Sequence, residues 1–210
     1  MIFHSAITLT RSEPDSQIVV LDRLGADRTA FSVCDSWAAL ELGSRGFRCD
    51  SEHGMQVWMA RPPGPVRHEI PEGLAVEDVT GEEALRDFEV SSIEGFESPE
   101  LHALGPLRLH GSGILDDDRM RIFAGRFGSE VVSVSMAYVS HGVVGVLGVA
   151  TRPEFRRRGL GEALTRRAIA CAPEQPAVLQ PSPDGYATYR KLGFAEIGAF
   201  TNWIFEPPES

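Results

Sequence analysis

Residues 143–169, VVGVLGVATRPEFRRRGLGEALTRRAI, constrain this chain more than any other stretch. The nearly continuous apolar run over 143–151 is the pattern of a buried strand. Pro153 lacks a backbone N–H, so pairing stops there. Helical spacing begins near Gly159, with Leu160, Leu164 and Ile169 on one side. A helix start leaves backbone N–H groups without partners and carries the positive end of the helix dipole. Glycine at 159 and 161 removes the side chains that would hold an anion away from those amides. Arg156, Arg157 and Arg158 add full charges at the same place. The combination suits a diphosphate.

The positive charge stands out because the chain as a whole carries a formal net charge of −10. That balance argues against a general nucleic-acid binder, and Glu154 and Glu162 interrupt the arginine run. A solvated helix end with surface ion pairs is the bland alternative; the two glycines argue against it. The stretch has neither the lysine nor the spacing of a P-loop, and it lacks the third glycine of a dinucleotide fingerprint. With 210 residues and 42% hydrophobic content, the chain can bury a core without staples. Cys34, Cys49 and Cys171 show no metal or disulfide spacing and read as small hydrophobes in a reducing compartment. No apolar run is long enough to span a bilayer. The expectation is a cytoplasmic protein without membrane or nucleic-acid partners, acting as a monomer or homodimer.

A Pro- and Gly-rich segment at 66–73 reads as a linker. Upstream, residues 1–65 read as a small α/β lobe. Strands are expected in ITLTRS (7–12) and QIVVLDRL (17–24), a helix in SWAALELGSRGF (36–47) and a strand in MQVWMARP (55–62). Downstream, 74–210 reads as one domain. Its strand LAVEDVT (74–80) precedes an amphipathic helix bearing Ala84, Leu85, Phe88 and Ile93 on one side. Three strands then cover 119–151 as an antiparallel meander. The helix from 159 to 171, a short strand in AVLQPS (177–182), a helix in DGYATYRKLGF (184–194) and a last strand over 195–205 complete the pattern. This is an α/β class, α+β in detail, with a mixed sheet and helices on both faces. SWAALELGSRGF and DGYATYRKLGF both end in Gly-Phe before an aromatic-rich strand, so the first lobe reads as a degenerate copy of the end of the second domain, or as a common corner.

The form Arg156-x-x-Gly159-x-Gly161, led by Thr151, Pro153 and Arg156 and followed by YRKLGF at 189–194, resembles the GNAT superfamily of acyl-CoA-dependent acyltransferases. The resemblance covers about 74–206 and implies a GNAT-type acyltransferase fold preceded by the small lobe. It implies that Val149, Ala150 and Thr151 pair with the pantetheine arm of coenzyme A like an added strand. It implies diphosphate contacts from the backbone of Arg156, Arg157, Arg158, Gly159, Leu160, Gly161 and Glu162. The side chains of Arg157 and Arg158 are candidates for the adenosine 3′-phosphate. Tyr189 matches the family tyrosine that protonates the departing thiolate; the alternative is a core tyrosine satisfied by backbone. Ser182 stands where the family often has an asparagine that holds the pantetheine amide.

No general base is evident. His141 is in a turn, Glu94 and Glu97 follow the first helix of the second domain, and His102, His110 and Asp116-Asp117-Asp118 fit no metal pattern. The resemblance implies an N-acetyltransferase using acetyl-CoA as co-substrate, with no metal, and a small-molecule or peptide amine as acceptor. Transfer is expected to be direct, because no cysteine lies in either motif. A noncatalytic CoA-binding module of the same fold is the alternative. A longer acyl donor is a third reading, with Gly142, Gly145 and Gly148 as the candidates for making room.

Overall fold

The computed structural model describes residues 6–8, 10–26, 30–50, 56–67 and 69–207. In chain order the elements are β1 (Ala6–Ile7), α1 (Pro14–Ala26), β2 (Phe31–Asp35), β3 (Phe47–Cys49), β4 (Val57–Arg61), β5 (Leu74–Asp78), α2 (Glu82–Gly95), β6 (Met120–Phe127), β7 (Glu130–Ser140), β8 (Val143–Thr151), α3 (Leu160–Ile169), β9 (Ala177–Leu179), α4 (Pro183–Lys191), β10 (Ala195–Ala199) and β11 (Thr201–Phe205). The chain divides into two units. One comprises 1–59, 180–186 and 196–210, the other 60–179 and 187–195.

In the first unit a sheet runs β1-β2-β11-β3. β11 pairs antiparallel with both neighbours, setting Trp203 opposite Val33 and Cys49. Val33, Leu42, Phe47 and Trp203 form its core, and the rings of Phe31, Phe47 and Phe205 pack at 5.2–5.5 Å. The expectation of 74–210 as one domain is therefore revised: the last strand completes the first lobe's sheet, because β2 and β3 are otherwise unpaired with each other.

Three further expectations change here. QIVVLDRL lies within α1, where Ile18 and Leu21 are buried while Val19, Val20 and Leu24 face solvent. An i, i+3 stripe is enough to dock a helix, and Pro14 in its first turn has the φ a helix needs. SWAALELGSRGF forms a turn and a 3-10 turn at Gly43–Arg45 instead of a helix. The buried Asp35 carboxylate accepts the N–H groups of Trp37 and Leu40, which bends the chain away from a helix start. The final strand is two, broken at Phe200. The strand expected over 7–12 is limited to Ala6–Ile7, and Leu9 lies outside the described residues.

In the second unit the strands lie in the order β9-β8-β7-β6-β5. The expected meander is present: β5 to β8 pair antiparallel, while β8 and β9 pair parallel, so the sheet is mixed. Alternation along β7 divides the two faces. Val134 and Met136 pack with Leu85 and Phe88 of α2. Ser135 faces the other way and donates its hydroxyl to the Leu164 carbonyl of α3 at 3.0 Å. Each fully buried Leu or Phe on these faces contributes about 2–3 kcal/mol. Among the described residues no helix is long and apolar enough to cross a membrane.

Gly95, the last residue of α2, lies directly on the end of β8. A Cβ there would meet the Ala150 Cβ at 2.8 Å and the Thr151 nitrogen at 3.1 Å. Alanine gains about 1 kcal/mol of helix propensity over glycine, but the backbone it would strike has no rotamer to change. Gly95→Ala is expected to destabilise the fold by about 1–3 kcal/mol, read as a lowered urea midpoint at unchanged slope.

Candidate functional site

β8 is longer than its parallel partner. The β8–β9 ladder consists of Val144↔Ala177 and Gly145↔Val178, and β8 then continues to Thr151. The strands part because β8 is bulged. Gly148 and Val149 together oppose Ser135, and Gly148 takes φ +57, which glycine adopts without strain. A gap therefore opens along residues 146–151, toward the C-terminal ends of both strands. Val149, Ala150 and Thr151 lie beside it. Ala150 is buried under Gly95, and the Thr151 hydroxyl is 2.8 Å from that of Ser133.

From Thr151 the chain makes a 3-10 turn at Pro153–Phe155 and enters α3 at Leu160. The cap residue Gly159 is left-handed, at φ +77, and no side chain caps the helix. The first bond into the helix is Ala163 N–H to the Gly159 carbonyl at 3.0 Å. The N–H groups of Arg157, Arg158, Gly159, Leu160, Gly161 and Glu162 meet no acceptor among the described residues. Six amides in a row without acceptors among the described residues, three on the exposed loop 157–159 and three in the first turn of α3, suit a doubly charged oxyanion ligand. A Cβ on Gly161 would sit 3.5 Å from Thr151 Oγ1, so the helix start lies against the strand end.

The three arginines have different surroundings. Arg156 donates to the Thr151 carbonyl at 3.1 Å, the Gly95 carbonyl at 2.9 Å and Glu97 Oε2 at 2.7 Å. Its charge ties the loop to α2. Arg157 is exposed, with φ +64, and has no carboxylate partner among the described residues. Arg158 stacks over Phe127 at 4.6 Å and Phe155 at 5.7 Å. Of the two side chains expected to reach a further phosphate, only that of Arg157 is unengaged.

Tyr189 lies on α4, edge-on to Phe194, and is 8% exposed. Its hydroxyl makes no hydrogen bond to a described residue. Burial pushes its pKa up to about 12, keeping the phenol protonated across the physiological range. Ser182 caps α4: its hydroxyl accepts the Gly185 N–H at 3.2 Å, which leaves its own proton to donate.

The other candidates fall outside this constellation. His141 occupies the β7–β8 hairpin turn, exposed, with Nδ1 2.7 Å from the Ser140 hydroxyl. That is the opposite end of β8 from Thr151. Glu94, half-buried, pairs with Arg152 at 2.7 Å, and Glu97, with its side chain 62% exposed, pairs with Arg156 at 2.7 Å. Asp117 holds Arg119 through both oxygens at 2.8 Å. His110 is buried against Phe88, and desolvation lowers its pKa. His102 borders a cavity of about 500 Å³ with Glu94, Glu97, Arg152 and Glu154. Cys171 lies past α3 with its pKa raised by burial.

The loop tied to α2 through Gly95 and Glu97 is the part of the site the sequence did not reveal. Its one signal is a glycine at the end of an amphipathic helix.

Comparison with known proteins shows the family and the fold. The model of the acetyltransferase (GNAT) family matches residues 83–194, and the chain belongs to that family. No curated protein matches the chain. Several solved structures share its fold. A GCN5-related N-acetyltransferase from Kribbella flavida is 20% identical with TM-score 0.62, covering 96% of this chain and 77% of its own. A conserved protein of unknown function from Staphylococcus epidermidis is 13% identical with TM-score 0.67, covering 96% and 83%. A tandem GNAT protein from the clavulanic acid biosynthesis pathway is 14% identical with TM-score 0.61, covering 93% and 70%.

An alkaline titration followed by phenolate absorbance is expected to show one tyrosine ionising at about 12. Tyr189→Phe should remove that step. Because the folded pKa lies above the unfolded value of 10.0, any stability linked to this phenol is intact below pH 10 and lost as pH rises toward 12.

Proposed function

We propose that the chain is an N-acetyltransferase that moves the acetyl group of acetyl-CoA directly to an amine of a small molecule or peptide. The observation that carries this reading is the run of amides over 157–162, without acceptors among the described residues, beside the gap in β8. Those amides, with Arg157, suit the coenzyme A diphosphate, and residues 149–151 offer strand pairing to the pantetheine arm. In the transfer the amine nitrogen forms a bond to the thioester carbon, the carbon–sulfur bond breaks, and the amine gives a proton to water. Tyr189 donates its proton to the departing sulfur and regains one from solvent. A phenol held protonated by burial and without an acceptor among the described residues is suited to that role.

The first lobe reads as a reduced copy of the end of the second domain or as a common corner, with a 3-10 turn at Gly43–Arg45 where the second domain has a helix. Gly46 and Gly193 are both left-handed, and the N–H groups of Phe47 and Phe194 reach back to Leu42 and Tyr189 in the same bond pattern. The likeness to a tandem GNAT protein over 93% of the chain supports this reading. Leu42 takes the place of the tyrosine in the copy, so the lobe lacks that acid.

Calorimetry with acetyl-CoA and with free CoA should give binding for wild type and Tyr189→Phe alike. Turnover of an amine found by a CoA-release screen should fall about 100-fold in the variant. Binding without transfer to any amine in a broad panel would instead establish a noncatalytic CoA-binding module.

A further inference from the structure

Arg152 sits between the end of β8 and the loop of open amides, and each nitrogen of its guanidinium faces a different carboxylate. Nε lies 2.7 Å from Glu94 Oε2, at the end of α2. Nη1 donates to Glu130 Oε1, at the start of β7, and Nη2 lies 2.9 Å from Glu154 Oε1, in the 3-10 turn. The backbone is fixed as well. The Arg152 N–H donates to the Val132 carbonyl at 3.0 Å, and the Arg152 carbonyl accepts the Phe155 N–H at 2.9 Å. The guanidinium carbon stands 5.8 Å from the centre of the Phe155 ring, which also carries Arg158 at 5.7 Å. One side chain thus joins a helix end, a strand start and the turn that leads into residues 157–162.

The charges do not balance at this point. Three carboxylates meet one guanidinium, which leaves two negative charges, while the nearby Glu97 is matched by Arg156. Glu154 stands three residues before the first open amide. Arg152, Glu94 and Glu154 also line the cavity of about 500 Å³, so the group is not sealed under packed side chains. Without the guanidinium, the three carboxylates would repel an anion arriving at those amides. Resting on the reading above, we propose that Arg152 is a positioning residue for the coenzyme A diphosphate. It draws the turn against α2 and β7, and it offsets the carboxylates that would otherwise oppose the ligand. Its action is through the turn and through the local field.

Calorimetry on the full chain with free CoA tests this. Arg152→Gln is expected to bind CoA about tenfold more weakly than wild type. The ratio should shrink at about 1 M salt, where exposed charges are screened within about 3 Å. Arg152→Lys keeps the charge without the three-way geometry and should recover part of the loss. Arg152→Gln combined with Glu154→Gln should recover part of it too, because a carboxylate leaves with its partner. In turnover of an accepted amine, the KM for acetyl-CoA should rise while kcat changes by less than about twofold. CoA binding equal to wild type in Arg152→Gln, whatever its urea midpoint, overturns the proposal. So does a lost affinity that neither Arg152→Lys nor the Glu154→Gln combination relieves, because that marks a turn that has only misfolded. Either result leaves the acetyltransferase reading intact. Absence of CoA binding by wild type overturns both.

Discussion

The site depends on the contact between the end of α2 and the end of β8. Gly95 lets a helix terminus rest on a strand backbone with no side chain between them. Arg156 then spans the junction, taking the Gly95 carbonyl, the Thr151 carbonyl and Glu97 together. Carbonyls at a helix C-terminus are the negative end of its dipole, and an arginine there is well placed. With its charge so used, Arg156 works by shaping the loop. The amides of the following six residues are thereby held open, without acceptors among the described residues.

The second constraint is the bulge at Gly148. A regular strand would have kept β8 and β9 in register and left no gap. Two residues opposite Ser135 bend β8 away from its parallel partner and leave Leu147 uncovered. Around it the second unit is conventional: one helix on each face of a mixed sheet.

Much of the second unit was legible in the sequence. The meander, the glycine-led helix and the Gly193 stop follow from local periodicity and from backbone freedom at single residues. The first lobe was less legible. IVVL at 18–21 reads as a strand because its residues are apolar and β-branched, yet only Ile18 and Leu21 are buried. Asp35 broke the expected helix by binding the backbone ahead of it, which no periodicity shows. Glu89 is similar: in sequence it is one acid on an amphipathic helix, but it is 3% exposed and accepts the N–H groups of Leu107, Leu109 and His110.

By itself, the sequence determined the family's two motifs, the diphosphate-suited helix start and the identity of Tyr189, because each depends on residues close together in the chain. Tertiary structure alone decided that Arg156 faces α2 and Arg158 stacks on Phe127, that Tyr189 is buried without a hydrogen-bond partner among the described residues, and that β11 completes the first lobe's sheet. Those outcomes depend on which distant surfaces meet. The energy of such meetings comes from burial and from pairing across the sheet, which local spacing does not encode.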